Sequence, residues 1–327
     1  ASAISGYGLL VTQEILEECK PRAENQVLGT VQAPHRNFRS TLRRSKISSD
    51  IPCAGVPALL APFQYEGNTV DPFESATARY DLERPTPPDF SRAIEIAAAY
   101  TMRPGSIARV LSLEEAVQGV ALMEPVGRGK SAGYPWCLDP QAKGKKKWLG
   151  EGQERYIHDD LRAALTKARD NFLPEEWPFM DCLKDEIRDK AKADKNDPEA
   201  VKTRLFSGAN MVHTILMRQY LGAFINSLQE NRITNSFTAG VNPHSIEWTT
   251  MMRHVGEASG QAFDGDWSAF DASLSSEVIT AFFTAANNWY ATYDPQCTVE
   301  DQQFRLRLAD SVAKSVHVQG DTLFRWE

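Results

Sequence analysis

Residues 211–230 form the most regular segment of the chain. Val212, Ile215, Leu216, Ala223 and Phe224 recur there at helical spacing, which predicts a long helix with one apolar face. Other parts of the chain must cover this face, because leaving so much apolar surface in water is unfavourable. The segment therefore predicts an amphipathic helix whose apolar face is buried.

Other segments show weaker but recognisable patterns. Residues 317–319 and 322–326 flank Gly320-Asp321, a pair typical of a tight turn between antiparallel strands. The chain up to about residue 86 contains many prolines and is predicted to be extended and rich in loops. Residues 261–266 are predicted to form a short strand. Helices are predicted at residues 90–100, 112–122, 154–171, 246–255 and 276–290.

The composition is that of a folded protein without membrane-spanning segments. Of the 327 residues, 42% are hydrophobic and 24% are charged, and no apolar run approaches the roughly 20 residues that a spanning helix needs. No secretory signal is visible, and because the chain begins at Ala1 we interpret it as a processed product or a fragment. The five cysteines include no CxxC pair, so we expect reduced thiols and no structural zinc.

The charge distribution is more informative than the net charge. A net charge of −7 on its own disfavours a nucleic-acid partner. Residues 36–46 nevertheless contain five basic residues and no acid, and residues 127–147 contain six basic residues and one acid, Asp139. Each stretch alone is equally typical of a solvated surface loop, so neither decides the function.

Three aspartates lie close together in the segment 263–275. Asp264, Asp266 and Asp271 repel one another unless a cation neutralises them, which favours a divalent metal held by oxygen ligands. A solvated turn that caps the next helix explains the same residues. An EF-hand loop is excluded, because its sixth and twelfth positions would be Ala269 and Ser275. A phosphotransferase of the DxD type stays open.

Two other segments could bind phosphates. Between Lys184 and Arg204 there are seven basic residues and six acids. This mixture suits either an exposed hairpin with salt bridges or a basic strand pair that meets a triphosphate while the acids hold its lysines and arginines in place. Residues 127–136 form a loop rich in glycine and serine whose amides could approach phosphates, although it lacks the Walker A pattern. Neither segment is decisive alone.

In this order along the chain, the segments resemble the RNA-dependent RNA polymerases of picorna-like positive-strand RNA viruses. The family's SAGYP motif matches Ser131 to Pro135, and its KDE-R motif matches Lys184 to Arg188. Its K-x-R-L motif matches Lys202 to Leu205, and its D-x4-D motif matches Asp266 with Asp271. The resemblance extends from about residue 52 to residue 327.

The resemblance implies an α+β right-hand polymerase fold with fingers and a partial palm. The expected domains are an N-terminal extended or fingertip segment at 1–50, fingers at 51–220, and a partial palm with an interleaved fingers segment at 221–327. The upstream segment is expected to include the tail of a preceding polyprotein product. The implied partners are an RNA template and primer, nucleoside triphosphates and other viral replication proteins. The implied location is the host cytoplasm, at membrane-associated replication complexes.

The resemblance also assigns roles to individual residues. Asp266 would bind two Mg2+ ions, with Mn2+ as the alternative, and Asp271 would sense the ribose 2′-hydroxyl. The basic stretches at 36–46 and 143–147 would hold template phosphates. The nucleotide would be bound by Lys184, Arg188, Lys202 and Arg204. The template strand would be guided by Ser131, Ala132, Gly133, Tyr134 and Pro135.

One departure from the family pattern is large. The later palm motifs, a Ser-Gly motif and a Gly-Asp-Asp motif, are absent from the 327 residues, and no thumb follows. We therefore expect a truncated RNA polymerase that is inactive alone. A non-catalytic RNA-binding module would also explain the missing Gly-Asp-Asp, and a DxD phosphohydrolase would require further acids that the chain does not supply.

Overall fold

The computed structural model describes residues 26–43, 55–78, 80, 91–152, 154–235, 237–256, 264–267 and 270–326. The chain divides into two compact units. The first unit comprises Ala1–Val27, Arg36–Pro88 and Cys182–Phe206, and the second comprises Leu28–His35, Asp89–Asp181 and Ser207–Glu327. This division rests on compactness, and the boundaries of fingers and palm stay a prediction.

The described residues contain strands and helices in alternation. The strands are β1 (Gln26–Thr30), β2 (Gly55–Pro57), β3 (Phe63–Tyr65), β4 (Asn68–Val70), β5 (Phe179–Leu183), β6 (Ile187–Asp189), β7 (Leu205–Gly208), β8 (Val316–Gln319) and β9 (Thr322–Arg325). The helices are α1 (Pro72–Thr77), α2 (Ser91–Thr101), α3 (Leu113–Gln118), α4 (Lys146–Leu149), α5 (Asp159–Asp170), α6 (Met211–Glu230), α7 (Ile246–Gly256), α8 (Phe270–Ser273), α9 (Ser276–Tyr293) and α10 (Val299–Ala313).

The first unit is built from short strand pairs. Strands β3 and β4 form a hairpin in which Tyr65 faces Asn68 across a turn, and both turn residues, Glu66 and Gly67, have positive φ. Strands β2 and β6 pair in antiparallel fashion, with Val56 opposite Arg188. These pairs fix the backbone that carries part of the predicted nucleotide site.

The core of the second unit surrounds α6. Asn210 caps this helix by accepting a hydrogen bond from the His213 amide, and the helix bears buried residues on most of its circumference. Helices α3, α5, α9 and α10 pack against it. Trp289 of α9 is fully buried, and its indole donates a hydrogen bond to the Arg103 carbonyl at 2.7 Å. The helix predicted at residues 211–230 is confirmed with both of its bounds, but it is buried on more than the one face that was predicted.

A five-stranded sheet with the order β1-β9-β8-β5-β7 completes the architecture. Strands β8 and β9 form the predicted hairpin, with Gln319 opposite Thr322. Strand β5 runs parallel to β8. A buried aspartate on β5, Asp181, lies 2.8 Å from His317 Nδ1 and accepts a hydrogen bond from Ser207 Oγ at 2.6 Å. This polar network joins β5, β7 and β8 under the sheet.

Several predicted elements differ from the structure in extent. The helix predicted at 112–122 ends at Gln118, because Gly119 adopts a φ of +84° that stops it. The helix predicted at 154–171 begins only at Asp159, where His158 Nδ1 accepts the Asp160 amide. Sequence analysis missed α10, although Thr298 and Asp301 form a capping box at its start. Ser112 and Glu115 form a capping box at the start of α3.

The strand predicted at residues 261–266 is wrong for residues 264–266, which the structure describes. Residues 261–263 lie outside the described residues, and 264–267 belong to no strand. Asp and Gly fit a pleated sheet poorly, and no described strand pairs with this segment.

Within the described ranges, no helix has the length and apolarity needed to cross a bilayer.

Candidate functional site

The SAGYP loop, residues Ser131–Pro135, rests on the first turn of α6. The Ala132 carbonyl accepts a hydrogen bond from the Met211 amide at 2.9 Å, and Ala132 is fully buried. Gly133 has a φ of +76°, and a Cβ there would lie 2.3 Å from the Cα of Asn210. Only glycine allows so close an approach of two backbones. Ser131 and Pro135 remain exposed, whereas Ala132 and Gly133 support the loop from beneath.

Gly144 and Lys145 hold the loop from a second side. The Lys145 amide donates to the Arg128 carbonyl at 2.7 Å. The buried Lys145 ammonium donates to the carbonyls of Ser131 and Lys130, and burial lowers its pKa. A Cβ at Gly144 would lie 2.6 Å from the Arg128 carbonyl oxygen. The loop is therefore fixed on two sides before any ligand binds.

This arrangement changes the interpretation of the basic stretch at 143–147. Lys145 points into the protein and is removed from any phosphate. Lys146 pairs with Glu151 and Lys147 pairs with Asp139, and these hydrogen bonds lower the pKa of both carboxyls. Only Lys143 is exposed without a partner among the described residues. The prediction that the whole stretch binds template phosphates is therefore wrong for Lys145, whose burial a periodicity argument does not reveal.

The basic stretch at 36–46 is also partly committed to the protein. Arg36 forms a bidentate ion pair with Asp71, with the closer N–O distance at 2.5 Å. Its guanidinium also lies over the rings of Phe38 and Phe73. Arg44 and Lys46 lie outside the described residues. Arg36 is thus a structural residue of the first unit.

Lys145 and Lys146 are adjacent lysines with opposite environments, so they form a matched pair for a test. Lys145→Met removes the donor to the Ser131 carbonyl, and a buried acceptor left without its partner costs about 1–3 kcal/mol. We expect faster amide hydrogen exchange at residues 131–133 in this variant. Lys146→Met removes an exposed ion pair worth less than about 1 kcal/mol and should leave that exchange unchanged. Equal exchange in both variants would contradict the bracing role of Lys145.

Three of the predicted nucleotide-binding residues meet at one carboxylate, Glu186. Its oxygens lie 3.3 Å from Lys184 Nζ and 3.5 Å from Arg188 Nη1. Both Nε and Nη2 of Arg204 also donate to it. The hydrogen bond from Arg204 lowers the pKa of the Glu186 carboxyl despite its partial burial, and Glu186 raises the pKa of Arg204. Glu186 therefore gathers three cations while remaining ionised.

Backbone contacts hold this cluster in place. The Lys184 amide donates to the Arg204 carbonyl at 2.8 Å, which brings the two predicted motifs together. The neighbouring Asp185 carboxylate accepts hydrogen bonds from the Ser40 hydroxyl and from the Thr41 amide and hydroxyl. Lys202 is exposed and does not join the cluster. The expectation that acids of this segment hold its basic residues in place is met at Glu186, although the sequence did not single out that residue.

The aspartates of the predicted metal site belong to the second unit. Asp264 and Asp266 are exposed, and neither has a hydrogen bond or ion pair among the described residues. Asp271 lies in α8, where its Oδ1 accepts the Ala272 amide at 3.0 Å. In the described part of the chain, no three potential ligands converge on one point. Exposed carboxylates without protein cations are nevertheless the hard oxygen donors that magnesium prefers.

The comparisons with known proteins bear on all of these residues. A family model described as viral RNA-dependent RNA polymerase matches residues 51–327. The chain belongs to the viral RNA-dependent RNA polymerase family. The matched range contains the SAGYP loop, the Glu186 cluster and the aspartates at 264–271, whereas the basic stretch at 36–46 precedes it. Polymerases use divalent metal ions, which agrees with the carboxylates at 264–271.

Individual relatives agree with the family. The chain is 32% identical over 226 residues to the replicase polyprotein of acute bee paralysis virus, covering 66% of this chain and 11% of the polyprotein. It is 29% identical over 238 residues to the replicase polyprotein of cricket paralysis virus, covering 67% of this chain and 13% of the polyprotein. The chain therefore spans only about a tenth of the curated relatives' length.

A solved structure shares the fold. The Sicinivirus 3Dpol RNA-dependent RNA polymerase superimposes with a TM-score of 0.73 at 22% identity, covering 93% of this chain and 61% of that one. The predicted α+β right-hand polymerase fold is thereby confirmed. The roles of individual site residues stay predictions.

Proposed function

We propose that this chain supplies part of an RNA-directed RNA polymerase that copies a viral RNA genome by template-directed nucleotidyl transfer. The observation that carries the proposal is the family match over residues 51–327, which includes the SAGYP loop, the Glu186 cluster and the aspartates at 264–271. The partners would be an RNA template and primer, nucleoside triphosphates and other viral replication proteins. The site of action would be membrane-associated replication complexes in the host cytoplasm.

The residues of the chain have separate tasks in this mechanism. Two bound Mg2+ ions, or Mn2+ in their place, would activate the primer 3′-hydroxyl and stabilise the leaving pyrophosphate. Asp266 is the residue that would hold them, and Asp271 would contact the ribose 2′-hydroxyl. The exposed side of the SAGYP loop would guide the template, since its buried side is fixed to α6.

The cluster around Glu186 would neutralise the triphosphate. Lys184, Arg188 and Arg204 carry three positive charges against the one negative charge of Glu186. An excess of cation donors held in advance stabilises the charge that develops on a leaving pyrophosphate without a cost for rearrangement. Lys202 would contribute only a more distant charge, because it lies outside the cluster.

The test is primer extension by the polymerase that contains these residues together with the rest of its gene product. We expect labelled primer to be extended on an RNA template only with matching nucleoside triphosphates and a divalent metal. RNA binding without any extension would contradict the proposal and favour the non-catalytic RNA-binding module. Release of phosphate from a small phosphoester without extension would favour the phosphohydrolase.

A further inference from the structure

A small pocket in the second unit is lined in part by Arg128, three residues before the SAGYP loop, and has no role in the mechanism above. Its volume is about 80 Å3. Val117 and Leu149, both buried, contribute apolar lining. The polar lining comes from α3, from the segment just before the SAGYP loop, and from α5 and the residues that precede it. It includes Glu114, Arg128, Arg155, Tyr156 and Arg162.

The charges around this pocket are strongly unbalanced. Three arginines line it against one acid, Glu114. Arg162 uses one nitrogen on Glu114 at 3.1 Å and another on the Ile157 carbonyl at 3.3 Å. Arg128 uses one on the Glu154 carbonyl at 3.1 Å. Each guanidinium has five N–H donors, so both arginines keep donors for a ligand.

Arg155 makes the fewest contacts with the protein of the three arginines. It is exposed and has no hydrogen bond or ion pair within the described part of the chain. The neighbouring Tyr156 ring is held in place, because its hydroxyl donates to the Lys147 carbonyl at 3.1 Å. A fixed aromatic ring next to cations is the combination that binds single-stranded nucleic acid by stacking and charge.

The size of the pocket limits the ligand. A volume of about 80 Å3 corresponds to roughly five water-sized volumes. This is room for one phosphate group but not for a whole nucleoside triphosphate. Guanidinium groups match the geometry of phosphate oxygens and bind them through paired hydrogen bonds.

The position of Arg128 relates the pocket to the template. Arg128 lies three residues before Ser131, and the same loop carries both. We propose that Arg128, Arg155 and Arg162 form a subsite for one backbone phosphate of single-stranded RNA that passes over the SAGYP loop. This inference rests on the proposed function, because it presumes that the loop contacts RNA.

Arg155→Gln tests the proposal in the polymerase that contains this chain together with the rest of its gene product. Binding of a labelled 16-nucleotide oligouridylate is measured at several salt concentrations. Loss of one phosphate contact should reduce the slope of log affinity against log salt by about 0.7, and should weaken binding several-fold at low salt. Thermal unfolding should not change, since Arg155 is exposed and unpaired among the described residues.

Arg92→Gln is the matched control. Arg92 is an exposed arginine of α2 that pairs with Glu95 at 3.0 Å and does not line the pocket. Its removal should leave the salt slope unchanged. If both variants lower the slope equally, the effect is one of general charge and the proposed subsite is wrong.

A second ligand separates the two sources of phosphate. Binding of UTP to the same variants should be unaffected if the subsite takes the RNA backbone. Weaker UTP binding by Arg155→Gln with an unchanged RNA slope would overturn the proposal in favour of a free nucleotide. If neither ligand responds while the unmodified polymerase binds RNA, the subsite is refuted and the proposed function stands. If the unmodified polymerase fails to bind RNA, both are contradicted.

Discussion

Asp266→Asn is expected to abolish nucleotide addition by the whole polymerase while RNA binding persists. Asparagine keeps the shape of the side chain and removes the charge that a divalent cation requires. Metal assistance contributes several kcal/mol to such reactions, and about 4 kcal/mol corresponds to a loss of about 10³-fold in rate. The RNA affinity should not fall, because the substitution removes a negative charge that repels RNA phosphates.

Two other aspartates serve as comparisons for Asp266. Asp321 lies exposed in the turn of the β8–β9 hairpin and has no role in the proposed mechanism, so Asp321→Asn should retain the normal rate. Asp271→Asn should mainly reduce the preference for ribonucleotides over deoxyribonucleotides. The measurement is single-nucleotide extension of a labelled primer with UTP and with its 2′-deoxy analogue. Normal extension by Asp266→Asn would remove this residue from the metal site.

Helices and hairpins whose formation depends on a short stretch of residues could be predicted from the sequence. The apolar periodicity of residues 211–230 located α6 to the residue, although the helix is buried on most of its circumference and not only on the apolar face. The Gly320-Asp321 pair located the β8–β9 hairpin because these residues favour a tight turn between antiparallel strands. Helix α10 was missed because its fully buried Arg305 interrupts the expected polar and apolar pattern.

The candidate site was predictable only in part. The motifs identified Lys184, Arg188 and Arg204. The first two are close neighbours of Glu186 in sequence, but the approach of Arg204 to Glu186 depends on a contact between segments 18 residues apart. The burial of Lys145 could not be predicted either, because it depends on the fold around this residue. Its neighbours Lys146 and Lys147 are partly exposed and ion-paired, and only the fold around Gly144 shows that Lys145 turns inward.

Gly133→Ala is expected to detach the SAGYP loop from α6. A φ of +76° costs an alanine about 1–2 kcal/mol. The added Cβ would also lie 2.3 Å from Asn210 Cα and 2.9 Å from the Ala209 carbonyl oxygen. These backbone atoms cannot move aside without disturbing the start of α6. We therefore expect the free energy of unfolding to fall by at least about 2–3 kcal/mol, with a loss of RNA affinity.

Gly129→Ala provides the control within the same loop. No atom lies within 4 Å of a Cβ at Gly129, and its φ is not in the left-handed region. Its free energy of unfolding should change by less than about 0.5 kcal/mol. Denaturant unfolding followed by tryptophan fluorescence compares the two variants, and oligouridylate binding compares their RNA affinity. Equal stabilities would mean that the loop does not rest on α6 in solution, and the fixed presentation of Ser131 to a template would then have no structural basis.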